Sequence, residues 1–261
     1  MSDEVILKGL VARTLPAAQS DGDESNIAAR VSRYGDQLAI QVGGPRQGLV
    51  DEGSYFIATN PTPGTGIAPN AVETSFSDTR GFFVIKNTED PGNPQAKRIY
   101  MDYLKLILLA TAPTATVSQH FALKRSKISR EPTTAANRTL LSPVQMASAS
   151  GRASIARPMS YANAGAMTVP ASAAEDPVVG RVCLPTSLGI AGDEYLLKFG
   201  SDDLGAVAGL TAVRATAPAR IVGLLPPVVI EAGESLVIHR WWLTEATNAP
   251  NFEFELAWYE R

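Results

Sequence analysis

Residues 252–259 read Phe-Glu-Phe-Glu-Leu-Ala-Trp-Tyr, and this stretch decides the fold class. Successive side chains of a β-strand point to opposite faces, so the alternation predicts a strand with one face in a core and the other mostly in water. Residues 235–242 read Ser-Leu-Val-Ile-His-Arg-Trp-Trp and carry apolar side chains on both faces. They predict a strand inside a sheet that is covered on both sides.

Seven more segments farther back in the chain carry strand signals. They are short runs bounded by clusters of Gly, Pro, Asn and Asp. No long segment between them has helical periodicity, which disfavours crossover helices and a parallel sheet. The sequence therefore predicts an all-β protein, an antiparallel β-sandwich whose expected topology is a jelly roll. The nine predicted strands are residues 55–59, 81–87, 98–110, 116–123, 178–184, 195–199, 219–225, 235–243 and 252–259.

Two segments lack the strand pattern. Residues 1–50 mix short apolar pieces with an acidic stretch at 19–26, which predicts an extended N-terminal arm on a sandwich domain of residues 51–261. We expect this arm to serve association more than the fold of one subunit. Residues 131–177 form an alanine-rich excursion with twelve alanines. It either contains small elements or is ordered by contact with another subunit, and the sequence leaves both interpretations open.

Composition and charge exclude several classes of protein. The chain has 261 residues, of which 45% are hydrophobic and 19% are charged, as is typical of a folded globular protein. A formal net charge of -3 offers no basic field for a nucleic acid, and no apolar run is long enough to cross a bilayer. We therefore expect neither a specific nucleic-acid partner nor a membrane partner.

The cysteine and histidine content argues against disulfide and metal chemistry. Cys183 is the single cysteine, and the N-terminal Met-Ser-Asp-Glu has no signal-peptide features, so synthesis in a reducing cytoplasm is expected. The chain has two histidines, His120 and His239. Together with Cys183 they are too few for the usual zinc sets of four Cys or His. The sequence predicts no metal and no cofactor.

Two segments look superficially like sites. Residues 60–66, Asn-Pro-Thr-Pro-Gly-Thr-Gly, have the glycines of a phosphate loop, but they lack a Gly-Lys-Ser/Thr ending and their prolines remove donors. A rigid turn is the favoured interpretation. Glu253 and Glu255 lie on one strand face at a spacing that suits a glycosidase pair. Nothing near them in sequence would raise the pKa of either carboxyl, so a solvated outer face is favoured.

The serines and histidines predict no nucleophilic catalysis. The sequence contains no G-x-S-x-G, and neither Ser118 nor Ser235 lies in a nucleophile elbow. His239 stands beside Trp241 and Trp242 in sequence, which favours a core or interface histidine over a catalytic base. We therefore predict no catalytic residue.

Residues 124–130, Lys-Arg-Ser-Lys-Ile-Ser-Arg, form the one basic cluster of the chain. An acidic partner surface or a nucleic acid could meet it, but without interleaved aromatic residues a solvated strand end is the favoured interpretation. Residues 137–139, Asn-Arg-Thr, match a glycosylation acceptor. Because the sequence shows no secretory signal, the match does not predict glycosylation.

Seven blocks of the sequence frame most of the chain and carry a resemblance to known proteins. They are residues 33–35, 51–56, 58–68, 83–87, 226–230, 233–239 and 252–261. These blocks resemble a family of tailed-bacteriophage virion structural proteins. The resemblance implies a jelly-roll β-sandwich that decorates or cements the exterior of a phage head and is made in the host cytoplasm. It also implies two partners, the major capsid protein and further copies of this chain, with a trimer expected by analogy.

Two rival classes remain in view. A carbohydrate- or receptor-binding tail or fibre protein is the alternative, and a cupin-type enzyme would need several His and carboxylate ligands that two distant histidines do not supply. Alternation along the last strand places Trp258 on the face of Phe252 and Phe254, which favours a core position. The candidate sugar-binding residues are Trp241, Trp242, Trp258, Tyr259, Glu253 and Glu255.

Overall fold

In the residues that it describes, the computed structural model contains two large sheets packed face to face, a two-stranded sheet and one short α-helix. No helix in the part of the chain it describes is long and apolar enough to span a membrane. The structure describes residues 29–31, 37–39, 45–67, 74–110, 117–131, 138–147, 151–161, 167–170, 172–186, 191–200, 220–242 and 251–261.

All nine predicted strands are confirmed, and the all-β sandwich with them. Six further short strands and a helix complete the described elements. Their bounds are β1 (Ala29–Val31), β2 (Gln37–Ala39), α1 (Pro45–Asp51), β3 (Tyr55–Thr59), β4 (Phe83–Asn87), β5 (Ile99–Ala110), β6 (Val117–Ser126), β7 (Thr139–Leu140), β8 (Val144–Gln145), β9 (Ala156–Ser160), a 3₁₀ turn (Ala173–Glu175), β10 (Val178–Thr186), β11 (Glu194–Phe199), β12 (Arg220–Leu225), β13 (Val229–Ile230), β14 (Ser235–Trp242) and β15 (Asn251–Glu260).

The chain divides into two units after Gly48. In the first unit β1 and β2 form an antiparallel hairpin, and residues 19–26 of the predicted arm lie outside the described residues. The second unit begins at Leu49, which is buried and packs with Tyr55 and Ala257 on the outer face of a sheet. Two residues that the sequence assigned to the arm therefore belong to the sandwich unit.

The sandwich consists of a six-stranded and a seven-stranded sheet. The six-stranded sheet has the order β10-β6-β14-β4-β9-β7, and the seven-stranded sheet has the order β12-β11-β5-β15-β3-β8 with β13 beside β5. The described pairs are antiparallel except for β11 and β12, which are parallel, so the antiparallel sandwich is confirmed with one exception. Parallel neighbours need a crossover connection rather than a tight turn, and 20 residues separate these two strands in the sequence.

The inner faces of both sheets form one continuous hydrophobic core. Phe252, Phe254, Leu256 and Trp258 are buried in it, which confirms the inward face of the last strand. The rings of Phe254 and Phe83 cross the gap between the sheets at a centroid distance of 5.0 Å. Each such burial contributes about 1.5–3 kcal/mol relative to exposure.

Strand β14 is covered on both faces, as its sequence predicts. Leu236 and Ile238 enter the core between the sheets. Val237 points to the opposite face, where it packs with Met159 and Met167 in a second cluster. Met159 lies on β9 of the same sheet, whereas Met167 comes from residues 167–170 of the alanine-rich excursion, which therefore cover part of this outer face.

The described parts of residues 131–177 contain small elements, the first of the two interpretations that the sequence left open. Strand β9 pairs with β4, β7 pairs with β9, and β8 pairs with β3, so the segment adds strands to both sheets. Leu141 lies between these additions and is buried in the main core. Much of the excursion is therefore integral to the sandwich.

Candidate functional site

An open, mostly apolar groove of about 560 Å³ lies on the outer face of β6, β10 and β14. Strand register builds its floor, because Trp241 pairs with His120 and His120 pairs with Cys183 across three neighbouring strands. Phe76 and Arg181 complete the lining. We call this surface the Trp241 groove.

The rings of the Trp241 groove hold one another in fixed orientations. His120 stacks on Trp241 with centroids 5.4 Å apart and planes inclined by 18°. Phe76, 42% exposed, meets Trp241 edge-on at 5.5 Å. The arrangement presents aromatic faces to solvent at one side of the sheet, as a binding surface does.

A thiol and an imidazole meet in the groove. The Sγ of Cys183 lies 3.8 Å from Nε2 of His120, and the thiol is exposed. A cysteine beside a histidine has the composition of a nucleophile and a base. The described contact that orients the His120 ring is the Trp241 face rather than a carboxylate, however, and among the described residues no three His, Cys, Asp or Glu side chains could hold a metal. The thiol and imidazole therefore lack, among the described residues, the carboxylate that usually orients a catalytic histidine.

His239 is a core histidine, one of the two positions that the sequence favoured. It is 1% exposed, its Nδ1 lies 2.8 Å from the carbonyl oxygen of Arg80, and its Nε2 is 3.8 Å from Asp78. Ser235 uses its hydroxyl to donate to the Ile128 carbonyl at 2.7 Å. The serine and the histidine are therefore not a catalytic pair, and the side chain of Ser118 lies outside the described residues.

The interpretation of residues 124–130 as a solvated strand end is wrong. Lys124 is 8% exposed and Arg130 is fully buried. Lys124 Nζ lies 2.8 Å from Asp78 and 2.7 Å from Asp176, and Arg130 Nη1 lies 3.2 Å and 3.0 Å from the same two carboxylates. We call Asp78, Lys124, Arg130 and Asp176 the ion network. Lys124 and Arg130 can be buried because two carboxylates from distant parts of the sequence neutralise their charges.

The pKa of Asp78 reflects its position in the ion network. Burial raises the pKa, but the hydrogen bond from Lys124 and the charge of Arg130 outweigh it and hold the pKa below its ordinary value. The carboxylate therefore stays ionised under mildly acidic conditions and continues to neutralise the buried cations.

We expect His239 to make stability depend on pH. Burial lowers its pKa from the ordinary 6.5 to about 4, so between these values the unfolded chain binds more protons than the folded one. The stabilisation is complete above about pH 6.5 and is lost as the pH falls toward 4, by about 3 kcal/mol in all. Urea unfolding across this range measures the slope. His239→Gln should flatten the slope, and an unchanged slope in this variant would contradict the expectation.

The turn at residues 60–66 is braced by the last strand. Asn60 donates to the Thr65 carbonyl at 2.6 Å and accepts from the Phe254 amide at 2.7 Å. Gly64, whose φ is 78°, donates its N–H to the Glu253 carboxylate. A carboxylate thus occupies a donor that a phosphate would need, and the contacts agree with a rigid turn rather than a nucleotide site.

Glu253 and Glu255 have separate structural partners. Glu255 accepts from Lys105 Nζ at 2.8 Å and from the Tyr103 hydroxyl. Burial raises the pKa of Glu255, but these two hydrogen bonds outweigh it and lower the pKa below its ordinary value. A glycosidase general acid needs a raised pKa, so the pair does not have the electrostatics of that site. The expected solvated face is in fact partly covered.

The candidate sugar-binding aromatic residues do not come together. Trp242 and Trp258 are buried in the core, and Tyr259 stacks on Tyr100 at 4.8 Å on the other sheet. Trp241 alone of these residues lines the groove. The local sequence around Phe76 and Cys183 does not indicate that they line the groove. Cys183 reaches the groove through the strand register, and Phe76 through its contact with Trp241. Asn137 lies outside the described residues.

Comparisons of the chain with protein-family models, with curated proteins and with solved structures found no match.

Proposed function

We propose that this protein is a non-enzymatic structural component of a bacteriophage virion, a decoration protein that binds the major capsid protein lattice on the outside of the head. The observation that carries the proposal is the placement of exposed apolar side chains at two separated positions on one sandwich. A protein that holds a lattice together needs more than one contact surface per subunit.

The first surface is an apolar arch, residues 138–146, that crosses from one sheet to the other. Its strands β7 and β8 are edge strands of the two sheets. Leu140, Val144 and Met146 are 51%, 52% and 45% exposed there. Sheet edges with apolar side chains are pairing surfaces that soluble monomers normally protect. The arch supports association with another copy of the chain, for which a trimer is expected.

The second surface is the Trp241 groove with the neighbouring edge strand β10. Strand β10 lies at the opposite end of the six-stranded sheet from β7. Val178 on β10 is 41% exposed beside Phe76. Different surfaces at opposite edges allow one subunit to contact its own copies and the capsid protein at once.

Empty heads with and without the protein provide the test. We expect wild-type protein to co-sediment with heads and to raise the temperature at which they rupture, because a ligand of the assembled shell stabilises it by mass action. Val144→Asp should weaken assembly or binding, whereas Val169→Asp, at an exposed position outside both surfaces, should not. Equal rupture temperatures at saturating occupancy would refute the proposal.

A carbohydrate- or receptor-binding tail protein is the second candidate, and the exposed Phe76 ring beside the half-buried Trp241 favours it. Aromatic faces are the usual platforms for sugar rings. If Trp241→Ala abolished adsorption of phage to host cells while head rupture stayed unchanged, this alternative would replace the decoration role.

A further inference from the structure

A buried cation lies between the two sheets at one end of the sandwich. Arg240 is 6% exposed, and it points inward from β14, two residues from the end of that strand. Its guanidinium carbon lies 4.3 Å from the Trp242 ring centroid, 4.5 Å from that of Phe252 and 5.5 Å from that of Phe82. Aromatic faces attract a cation electrostatically, so the rings favour the charged guanidinium.

The hydrogen-bonding groups around this cation lack acceptors. Arg240 Nε donates a hydrogen bond to Oε1 of Gln119 at 2.9 Å, so the amide oxygen of Gln119 is already paired. Both terminal nitrogens of Arg240 and Nε2 of Gln119 are buried without a hydrogen-bond partner among the described residues. All three atoms are donors, since neither a guanidinium nitrogen nor an amide nitrogen can accept. What the site lacks is therefore an acceptor with several oxygens.

The shape of the guanidinium defines the acceptor further. A guanidinium is planar and its N–H groups lie in that plane, where a carboxylate or phosphate can accept two of them side by side. Buried polar groups in folded proteins are nearly always paired, and an unpaired buried charge is strongly unfavourable. We propose that Arg240 and Gln119 form an internal binding site for a small oxyanion. This site is independent of the proposed virion role.

Thermal unfolding of the full chain in different anions tests the site. Acetate, phosphate and sulfate are titrated at constant pH and ionic strength, with chloride as the balancing anion. We expect at least one oxyanion to raise the Tm along a saturating curve, and comparison of acetate with phosphate and sulfate identifies the class. General salting-out by sulfate or phosphate is not saturable and affects every variant alike.

Three variants make the test specific. Arg240→Met keeps apolar contact with the rings and should lose the saturable response, whereas Arg181→Met, at an exposed arginine of the groove, should keep it. Gln119→Glu is the sharpest variant, because it places a carboxylate against Arg240 Nε that competes with the oxyanion. It should fold at least as stably as wild type and respond about tenfold more weakly. Gln119→Glu still tests the binding site if Arg240→Met fails to fold.

Two results would overturn the proposal. One is an equal saturable response in wild type, Arg240→Met and Gln119→Glu, which would locate the anion elsewhere. The other is the absence of a saturable response of the wild type to all three oxyanions, which would mean that the buried guanidinium does not bind them.

Discussion

Replacing Arg130 with methionine should lower the free energy of unfolding by about 3–5 kcal/mol, as expected when one partner of a buried ion pair is removed. Arg130 is fully buried, as is its partner Asp176, and its Nε also donates to the Thr168 carbonyl at 3.1 Å. The substitution leaves Asp176 in a low-dielectric environment with Lys124 as its remaining cationic partner. The excess negative charge then destabilises the folded state.

Urea unfolding measures this loss, and Arg98→Met is the matched control. Arg98 pairs with Glu231 at 2.7 Å, but both side chains are about half exposed and screened by water, so its removal should change stability far less than the removal of Arg130. The double variant Arg130→Met with Asp176→Leu should recover part of the loss, because it removes the unpaired charge as well. Similar losses for Arg130→Met and Arg98→Met would contradict the buried position of the network.

Trp258→Ala should cost about 3–5 kcal/mol, because it leaves a cavity in the centre of the core. Trp258 is fully buried and lies nearly parallel to Phe56 at a centroid distance of 6.3 Å. Its Nε1 donates to Glu260 at 3.1 Å, and the same carboxylate accepts from Ser154 at 2.5 Å. The side chain therefore joins core packing to the bond that holds residues 154–156 against β15.

Trp241→Ala provides the comparison, since it removes the same side chain from an open groove. We expect it to cost less than half as much in urea unfolding, because water can occupy the vacated space. Trp258→Phe should fall between the two, since it keeps most of the packing and loses the bond to Glu260. An equal loss for the two alanine variants would mean that the last strand does not lie in the core.

The strands could be predicted because their signal is local. The alternation from Phe252 to Trp258 requires only a period of two, and its inward residues are confirmed as buried. Ala257, on the other face, is buried as well, because Leu49 and Tyr55 pack against it. The short strands of residues 131–177 were missed for local reasons too. Strands β7 and β8 have two residues each, and β9 contains Pro158, which counts against a strand. The proline is tolerated because β7 pairs only with the end of β9.

The site could not be predicted, because its features depend on pairing between distant segments. Lys124 and Arg130 look solvated until Asp78 and Asp176, at least 46 residues away, are placed beside them. The row of Trp241, His120 and Cys183 exists only in the register of three strands. Charge runs and aromatic spacing show which residue types are present, but they do not show which strands pair or in which register. A one-residue shift in register would move each of these side chains to the other face of the sheet.

The order in which the chain is synthesised limits when this protein can fold. Strand β14 lies between β6 and β4, and β15 lies between β5 and β3, so the middle of each sheet comes from the last part of the sequence. Until residues 235–260 have been translated, β4 and β6 lack their shared neighbour, as do β3 and β5. A nascent chain that stalls before this point exposes four unpaired strand edges, which makes it a target for chaperones and for aggregation. Folding of the sandwich is therefore expected to wait until residues 235–260 have been translated.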